Sequence, residues 1–436
     1  MKLKPILKAE NGFEFLQSEI VEKNLCDGCG ICAEVCERIK IVDGLPELVE
    51  PCLLYLGASE CGKRGLCVDN CPQWEERRGF ELLKAKIIDE GLCTGCGACA
   101  AFCERIELVD GVPTSVKDCI MKLDAVQCGE YGLCYDHCSA RLPPIAELET
   151  RIFGSVREDE LLGVYRRIFS ARSTDPEILK LSQDGGIVSS ILSYGLENEI
   201  FEGVIVTRGT AGDRWKPEPV VLVTPEDLGS AAGTIYSVSP SIMGLGEVIK
   251  TTELKKIAVV GTPCQIKATR NIQRHLFRKA EELEVIDITT VGVFCMENFE
   301  YSCLTNFIEN ELLAGSGQKF KDVTKTDITR GRFHAYTEKG DFDVDIKDLD
   351  KCIKSSCRVC TDFASEFADL SVGSVGSPDG WSTVVIRSEK GEQVMNGIIE
   401  AGKIEEGDVK IDMVKKIAKM KKEHAAKAAE AKEGGE

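Results

Sequence analysis

Histidine is scarce in this chain of 436 residues, with 4 against 22 cysteines. His137 is the sole histidine in the cysteine-rich stretches, which argues against mixed Cys/His zinc sites there. Aromatic residues make up only 6%, yet a hydrophobic share of 43% is that of a globular chain. No apolar run approaches the roughly 18 residues of a membrane span, so no transmembrane segment is expected. Basic residues are outnumbered, and the net charge of −18 argues against nucleic acid, whose phosphates need clustered Lys and Arg. That acidity reads as a solubilising surface. The opening MKLKPILKAENGFEFLQSEI has a basic tip but a broken, charged continuation, unlike a signal peptide, so a cytoplasmic location is expected. No GxGxxG follows a strand and no Walker motif occurs, which leaves a Rossmann or P-loop site unsupported. This length suggests two or three domains.

What is present is cysteine, in duplicate. The stretch beginning CDGCGICAEVCERIKIVDG at Cys26 returns 67 positions later as CTGCGACAAFCERIELVDG at Cys93, with roughly half of the aligned residues identical. A disulfide scaffold belongs to small exported domains, which this chain is not. Zinc stays open for the CxxC pairs. A CxxCxxCxxxC run, however, suits a cubane cluster, because three thiolates two residues apart curl around three corners and the fourth comes from elsewhere. In two-cluster ferredoxins the fourth cysteine of each run serves the other cluster. That rule groups Cys26, Cys29, Cys32 and Cys71, then Cys52, Cys61, Cys67 and Cys36. In the second repeat it groups Cys93, Cys96, Cys99 and Cys138, then Cys119, Cys128, Cys134 and Cys103. Two departures stand out: CLLYLGASEC stretches the second run, and the usual proline survives only as Pro72. The alternative is a vestigial run without iron, against which stands the recurrence of all the cysteines at one offset. Between the runs, KIVDGLPELV and ELVDGVPTSV each read as strand, Asp-Gly turn and strand. A small hairpin carrying two clusters is a ferredoxin-like module, and two in tandem make a wire of one-electron carriers.

From about Pro143 the texture changes. GVIVTRG, KKIAVVGTP and VIDITTVGVF are buried-strand candidates among helical patterns, which gives a mixed α/β (α+β) domain. Cys264 follows a strand in VVGTPCQIKA, Cys295 ends one in VGVFCMENF, and Cys357 and Cys360 form the CxxC of SSCRVCTDF. Two strand-end thiolates and one CxxC supply four ligands to a fifth cubane. Plain burial is the alternative for Cys295 and Cys303, and a nucleophile at a helix N-terminus is the alternative for Cys264, although no histidine lies in its motif. Three Gly/Ser-rich loops, LSQDGGIVSSIL, SAAGTIYSVSPSIM and SVGSVGSPDGWSTVVIR, can cradle a phosphate with main-chain N–H groups. Three in one domain beside a cluster point to a cofactor with a pyrophosphate.

The segments SQDGGIVSSIL, VGTPCQIKA, VGVFCMENF and CRVCTDFASEFADLSVGSVGSPDGWSTVVIR resemble the signatures of the coenzyme F420-reducing hydrogenase β-subunit family, over roughly residues 145–400. The resemblance implies FAD, one [4Fe–4S] cluster held by Cys264, Cys295, Cys357 and Cys360, and hydride exchange between FAD and the deazaflavin coenzyme F420. It leaves the roles of Cys303 and Cys352 open. Many family members carry one ferredoxin module in front, whereas this chain carries two, and some take electrons from ferredoxin instead of coenzyme F420.

Electron counting sets the expected mechanism. Coenzyme F420 carries hydride and clusters carry single electrons, so a flavin must stand between them. Asp184, Gly185, Gly186, Ser189, Ser190, Thr234, Tyr236, Ser239, Thr262 and Asn298 are the candidate phosphate- and ring-holding residues, and no side chain is needed as acid or base. The expected layout is a ferredoxin-like module over 1–78, a second over 79–145, an FAD- and coenzyme F420-binding domain with one cluster over 146–400, and a charged helical tail over 401–436. The tail reads as a solvated or frayed helix, with a docking tail as the alternative. The expected partners are coenzyme F420 and oxidoreductase subunits of a larger complex. The competing function is a polyferredoxin relay that does not use coenzyme F420.

Overall fold

The structure, a computed structural model, describes residues 12–22, 26, 28–50, 52, 66–69, 71, 79–120, 128, 132–278 and 286–433. The chain falls into two compact units, Met1–Leu82 and Leu83–Glu436.

In the first unit, β1 (Ile39–Val42) and β2 (Leu45–Leu48) form the expected antiparallel hairpin, with Val42 opposite Leu45. Its turn needs positive φ at both central residues, and Asp43 at 51° and Gly44 at 82° supply it. The second repeat copies this hairpin as β3 (Ile106–Val109) and β4 (Val112–Ser115), turning at Asp110 and Gly111. Short helices Ile31–Glu34 and Ala98–Ala101 carry Cys32 and Cys99, and each starts after a left-handed glycine, Gly30 or Gly97. Helices Leu66–Asp69 and Leu133–Asp136 carry Cys67 and Cys134.

The second unit holds more than the mixed α/β domain expected from residue 146. The second repeat packs into it, so the expected break near residue 145 does not separate two compact bodies. Helix Ala98–Ala101 lies on helix Ile242–Thr251, and the approach is so close that a Cβ on Gly246 would stand 2.6 Å from the Ala101 carbonyl oxygen. The Ile242 N–H donates to the Cys96 carbonyl at 3.0 Å. Asn271 donates its side-chain amide to the Cys138 carbonyl at 2.8 Å.

The frame of this unit is an eight-stranded sheet built from β5 (Arg167–Ser173), β6 (Gly203–Thr210), β7 (Asp213–Leu222), β8 (Lys256–Gly261), β9 (Asp287–Val293), β13 (Leu370–Gly373), β14 (Ser382–Ile386) and β15 (Ile404–Gly407). The spatial order is β15-β5-β14-β13-β9-β8-β6-β7; β6, β8, β9 and β13 run parallel and the flanks antiparallel. The central strands are buried on both faces, which is why they read as continuous apolar runs. Helices Ile187–Glu197 and Glu389–Glu400 contribute Ile187, Ile191, Val394 and Ile398 to the core on one face. Helices Ile242–Thr251 and Pro263–Arg278 contribute Leu245, Val248, Ala268 and Ile272 to the core on the other. An antiparallel sheet that the sequence reading did not anticipate, β10 (Val323–Thr329), β11 (Arg332–Thr337) and β12 (Gly340–Asp345), stands over its own core of Phe299, Phe307 and Phe333. Cys303 and Cys352, whose roles were open, form a disulfide within that core.

The expectation of a solvated C-terminal helix is corrected. Helix Ile411–Glu433 buries Val414, Ala418 and Ala425 completely, because a small-residue stripe lets it lie against Leu162, Phe363 and Ala364.

Candidate functional site

Two strand ends and one short helix bring the four C-terminal cysteines together. β8 runs out at Gly261, and Cys264 enters the first turn of helix Pro263–Arg278, where proline at the first position costs no hydrogen bond. Thr262 Oγ1 lies 3.2 Å from Cys264 Sγ. Beyond β9, Cys295 is fixed by its N–H to the Phe363 carbonyl at 2.9 Å. Helix Ser355–Arg358 carries Cys357, and Cys360 follows with its N–H on the Cys357 carbonyl at 3.2 Å. The Asn298 N–H points at Cys357 Sγ from 3.4 Å, a donor suited to a sulfur bearing charge.

Burial pushes the Cys264 thiol up to about 12; Thr262 opposes the rise, while Cys96, Cys357 and Cys360 add to it. Burial likewise lifts Cys357 to about 11, and raises Cys295 well above the ordinary thiol value with Cys357, Cys264 and Cys360 close by. An activated nucleophile needs the opposite shift, so the nucleophilic reading of Cys264 loses its physical basis. Crowded thiols whose charged form burial disfavours, as for Cys264, Cys295 and Cys357, are on the other hand what a cluster's donor set would look like without its iron, whose positive charge would let them ionise.

The same crowding sorts the repeats. Cys32 is raised by burial and then by Cys26, Cys29 and Cys71. Burial comes first for Cys99 too, followed by Cys96, Cys138 and Cys93 and last by Cys134 of the neighbouring set, and for Cys134, followed by Cys103, Cys128 and Cys119. The structure thus brings together three of the crossed sets expected from the spacing. Of the fourth, Cys36 is half-buried, Cys52 and Cys67 are buried, and Cys61 lies outside the described residues. Among the described residues no three Cys, His, Asp or Glu side chains close in on a point tightly enough for a single ion. A cubane spreads its four thiolates over separate corners.

The three polar loops converge. The Gly185 N–H is already donated to Ser382 Oγ at 3.1 Å. A Cβ on Gly185 would lie 2.6 Å from the Ala171 carbonyl, and one on Gly186 (φ +71°) would lie 2.8 Å from Ile178. Close packing therefore demands both glycines, and it already engages the Gly185 N–H. Ser190 Oγ is bonded to Ser173 Oγ at 2.9 Å, and Ser239 shares its hydroxyl with Thr207 and Ser241. Both serines are buried and tie strands to loops. Ser189 is half-buried on helix Ile187–Glu197, and the Thr234 carbonyl accepts from Thr326 Oγ1 at 3.5 Å.

Asp184 faces Asp327, Lys325 and Asp379; burial, then Asp327, raises its carboxyl to about 6. Tyr236 stacks edge-on against Phe333, and burial followed by Asp327 raises its phenol. Gln183 reaches Asp327 at 2.8 Å. A carboxylate beside two others repels a pyrophosphate, so Asp184 suits a ligand hydroxyl or ring N–H. Lys325 and Asp327 escaped the sequence reading because β10 looks like an ordinary polar strand.

Residues 168–245 match the family described as coenzyme F420 hydrogenase/dehydrogenase beta subunit, N-term, and residues 254–412 match its C terminus. The chain belongs to the coenzyme F420 hydrogenase/dehydrogenase beta-subunit family. It is 43% identical to the coenzyme F420 hydrogenase subunit beta of Methanococcus voltae over 60% of this chain and 92% of that protein. A subunit of the F(420)H(2) dehydrogenase of Methanosarcina mazei is 33% identical, covering 78% of this chain and 91% of its own. The coenzyme F420-dependent sulfite reductase of Methanocaldococcus jannaschii is also 33% identical, over 78% of this chain but 51% of its own. In solved structures, a chain of the F420-reducing [NiFe] hydrogenase complex from Methanosarcina barkeri superposes with a TM-score of 0.59 at 40% identity, covering 63% of this chain and 94% of that one. These relatives are oxidoreductases or their subunits, and this beta-subunit family member is an oxidoreductase subunit. The family match encloses Cys264, Cys295, Cys357, Cys360 and the Asp184–Tyr236 loops. Both cysteine repeats lie before it, and nearly all of helix Ile411–Glu433 lies after it.

Proposed function

We propose that this chain exchanges a hydride between coenzyme F420 and a bound FAD, and passes single electrons between that flavin and a partner oxidoreductase along [4Fe–4S] clusters. One observation carries the reading: Cys264 has Cys96 of the second repeat as a charge neighbour, so the C-terminal thiol set continues into the next one. The two repeats act as tandem ferredoxin modules, and with the C-terminal set they hold five clusters. FAD, when bound, supplies the conversion between a two-electron hydride and single electrons.

The chain's own residues would divide the work as follows. Cys264, Cys295, Cys357 and Cys360 hold the cluster next to the flavin, and Asn298 donates to the Cys357 sulfur. Asp184 and Tyr236 orient hydroxyls or ring N–H groups of the bound cofactors, and Thr262 buttresses Cys264. The contacts of Gly246 and Cys96 keep the second module seated, so that electrons leave through Cys93, Cys96, Cys99 and Cys138 and then through Cys103, Cys119, Cys128 and Cys134. Coenzyme F420 and the redox subunit of a larger complex are the proposed partners, and the cytoplasm is the proposed location. Among the described residues no helix is long and apolar enough to cross a membrane.

The test is flavin analysis of anaerobically purified protein, followed by stopped-flow mixing with reduced coenzyme F420. The reading requires FAD on the chain and its rapid bleaching. Protein that remains flavin-free after reconstitution supports the relay function instead.

A further inference from the structure

The helix Ile411–Glu433 begins where the family match ends, at residue 412. It packs against helix Ser355–Arg358, which carries Cys357, and against Phe294 and Met296, which flank Cys295. Three lysines approach this region. Lys267 stands 3.4 Å from Asp362, and Lys422 stands 2.8 Å from Glu366, so carboxylates meet both charges. Lys421 differs. It is 3% exposed and donates its ammonium to the main-chain oxygen of Cys295 at 2.5 Å. Asp362, which also meets Lys267, and the half-buried Glu297 lie within its electrostatic reach.

Burying an ammonium against a neutral carbonyl is costly unless negative charge stands close by. Beside Asp362 and Glu297, ionised Cys295, Cys357 and Cys360 would provide that charge at the atom Lys421 touches. We propose that Lys421 is a positioning residue for electron transfer: it fixes a positive charge at the Cys295 corner of the C-terminal cluster and raises that cluster's reduction potential. This rests on the cluster reading given above. A cluster held there would supply one-electron exchange, balanced by one electron arriving from the flavin side and one leaving to the next thiol set, and Lys421 would hold its charge without moving a proton. The reduced cluster carries one more negative charge than the oxidised one, so a nearby buried ammonium favours it. Lys421 would thereby make the first acceptor easier to reduce, directing electrons away from the flavin.

The experiment is an EPR-monitored redox titration of the full chain, purified anaerobically, with iron counted in each sample. In Lys421→Gln, which keeps a donor for the Cys295 carbonyl but loses the charge, one cluster component should move to lower potential while the others stay in place. A tenfold fall in its reduced-to-oxidised ratio at fixed potential corresponds to about 59 mV for a one-electron couple. Lys421→Arg should hold the parental potential, and Lys422→Gln should leave it unchanged. An unmoved titration in Lys421→Gln at full iron content overturns the proposal, as does an equal shift in Lys421→Arg. Loss of iron from Lys421→Gln overturns it too, because the side chain would then be a clamp and not a charge. Parental protein without iron would instead defeat the cluster reading itself.

Discussion

Gly246→Ala tests whether the second cysteine repeat is seated on the C-terminal domain by direct backbone contact. An alanine Cβ at this position would stand 2.6 Å from the Ala101 carbonyl oxygen and 2.7 Å from the Ala101 Cβ. Ordinary van der Waals contact begins near 3.4 Å, so helices Ala98–Ala101 and Ile242–Thr251 must part by about 0.8 Å. A gap of that size forfeits roughly a quarter to a half of the dispersion attraction across it. Overpacking of this kind costs about 1–3 kcal/mol, while exchanging glycine for alanine inside a helix returns up to about 1 kcal/mol. The neighbour is a main-chain carbonyl that no rotamer change removes, so the clash outweighs the helix gain. The expected outcome is a melting temperature lowered by a few degrees, at about 2–4 °C per kcal/mol for a mid-sized domain. In stopped-flow work, flavin reduction by coenzyme F420 should keep its rate while electron delivery to the repeat clusters slows. Gly244→Ala is the control, because its Cβ would meet Ile205 on the sheet at 2.9 Å and not the repeat. It should lower stability without slowing electron delivery. A Gly246→Ala protein that melts at or above the parent and delivers electrons at the parental rate would refute the reasoning.

Anaerobic iron and sulfide analysis should find about twenty iron atoms per chain, as five cubanes require; about twelve would remove the two stretched-run sets, and zinc in place of iron would remove the wire. Cys264→Ser should leave the reduction of bound FAD by coenzyme F420 intact while transfer to a one-electron acceptor collapses, and loss of the flavin step itself would count against a cluster ligand at this position. Asp184 gives a pH test. Its folded carboxyl titrates at about 6, above an exposed aspartate, so it contributes stability that is fully present below the unfolded value near 4 and is lost as pH rises through about 6. Asp184→Asn should therefore melt higher than the parent at pH 7.5, by on the order of 1–2 kcal/mol after discounting for partial exposure. That gap should close towards pH 5, and a gap independent of pH would remove Asp184 as its source.

What was legible in the sequence was local or repeated. Asp43-Gly44 and Asp110-Gly111 announce their hairpins because few dipeptides tolerate positive φ at both positions. The grouping of Cys99 with Cys138 follows from ligand spacing alone, and the structure places those two thiols as neighbours. What stayed hidden depends on partners far away in the chain. Gly185 looked like an open turn, yet Ser382, nearly two hundred residues on, occupies its N–H. Cys303 and Cys352 carry no spacing that predicts their bond across 49 residues. The C-terminal helix looked solvated because its lysines dominate, and Val414, Ala418 and Ala425 are too small a stripe to announce the wall that lies against it.

The paired glycines of the two repeats bear on how such a chain can change over time. Gly28 and Gly30 hold φ near +75° and +77°, as Gly95 and Gly97 do at +72° and +84°. A Cβ on Gly95 or Gly97 would strike Val238 at 2.6 Å or Met243 at 2.8 Å. Among the described residues of the first copy it would meet the Gly44 oxygen at 3.2 Å or Ile41 at 4.0 Å. Positive φ keeps all four positions close to glycine in either copy. In the second copy the turn is bound further: Gly95 cannot gain a side chain unless Val238 gives way, nor Gly97 unless Met243 does. Duplication has thus placed one motif under two different sets of constraints, and the second copy can change only in step with the residues it touches.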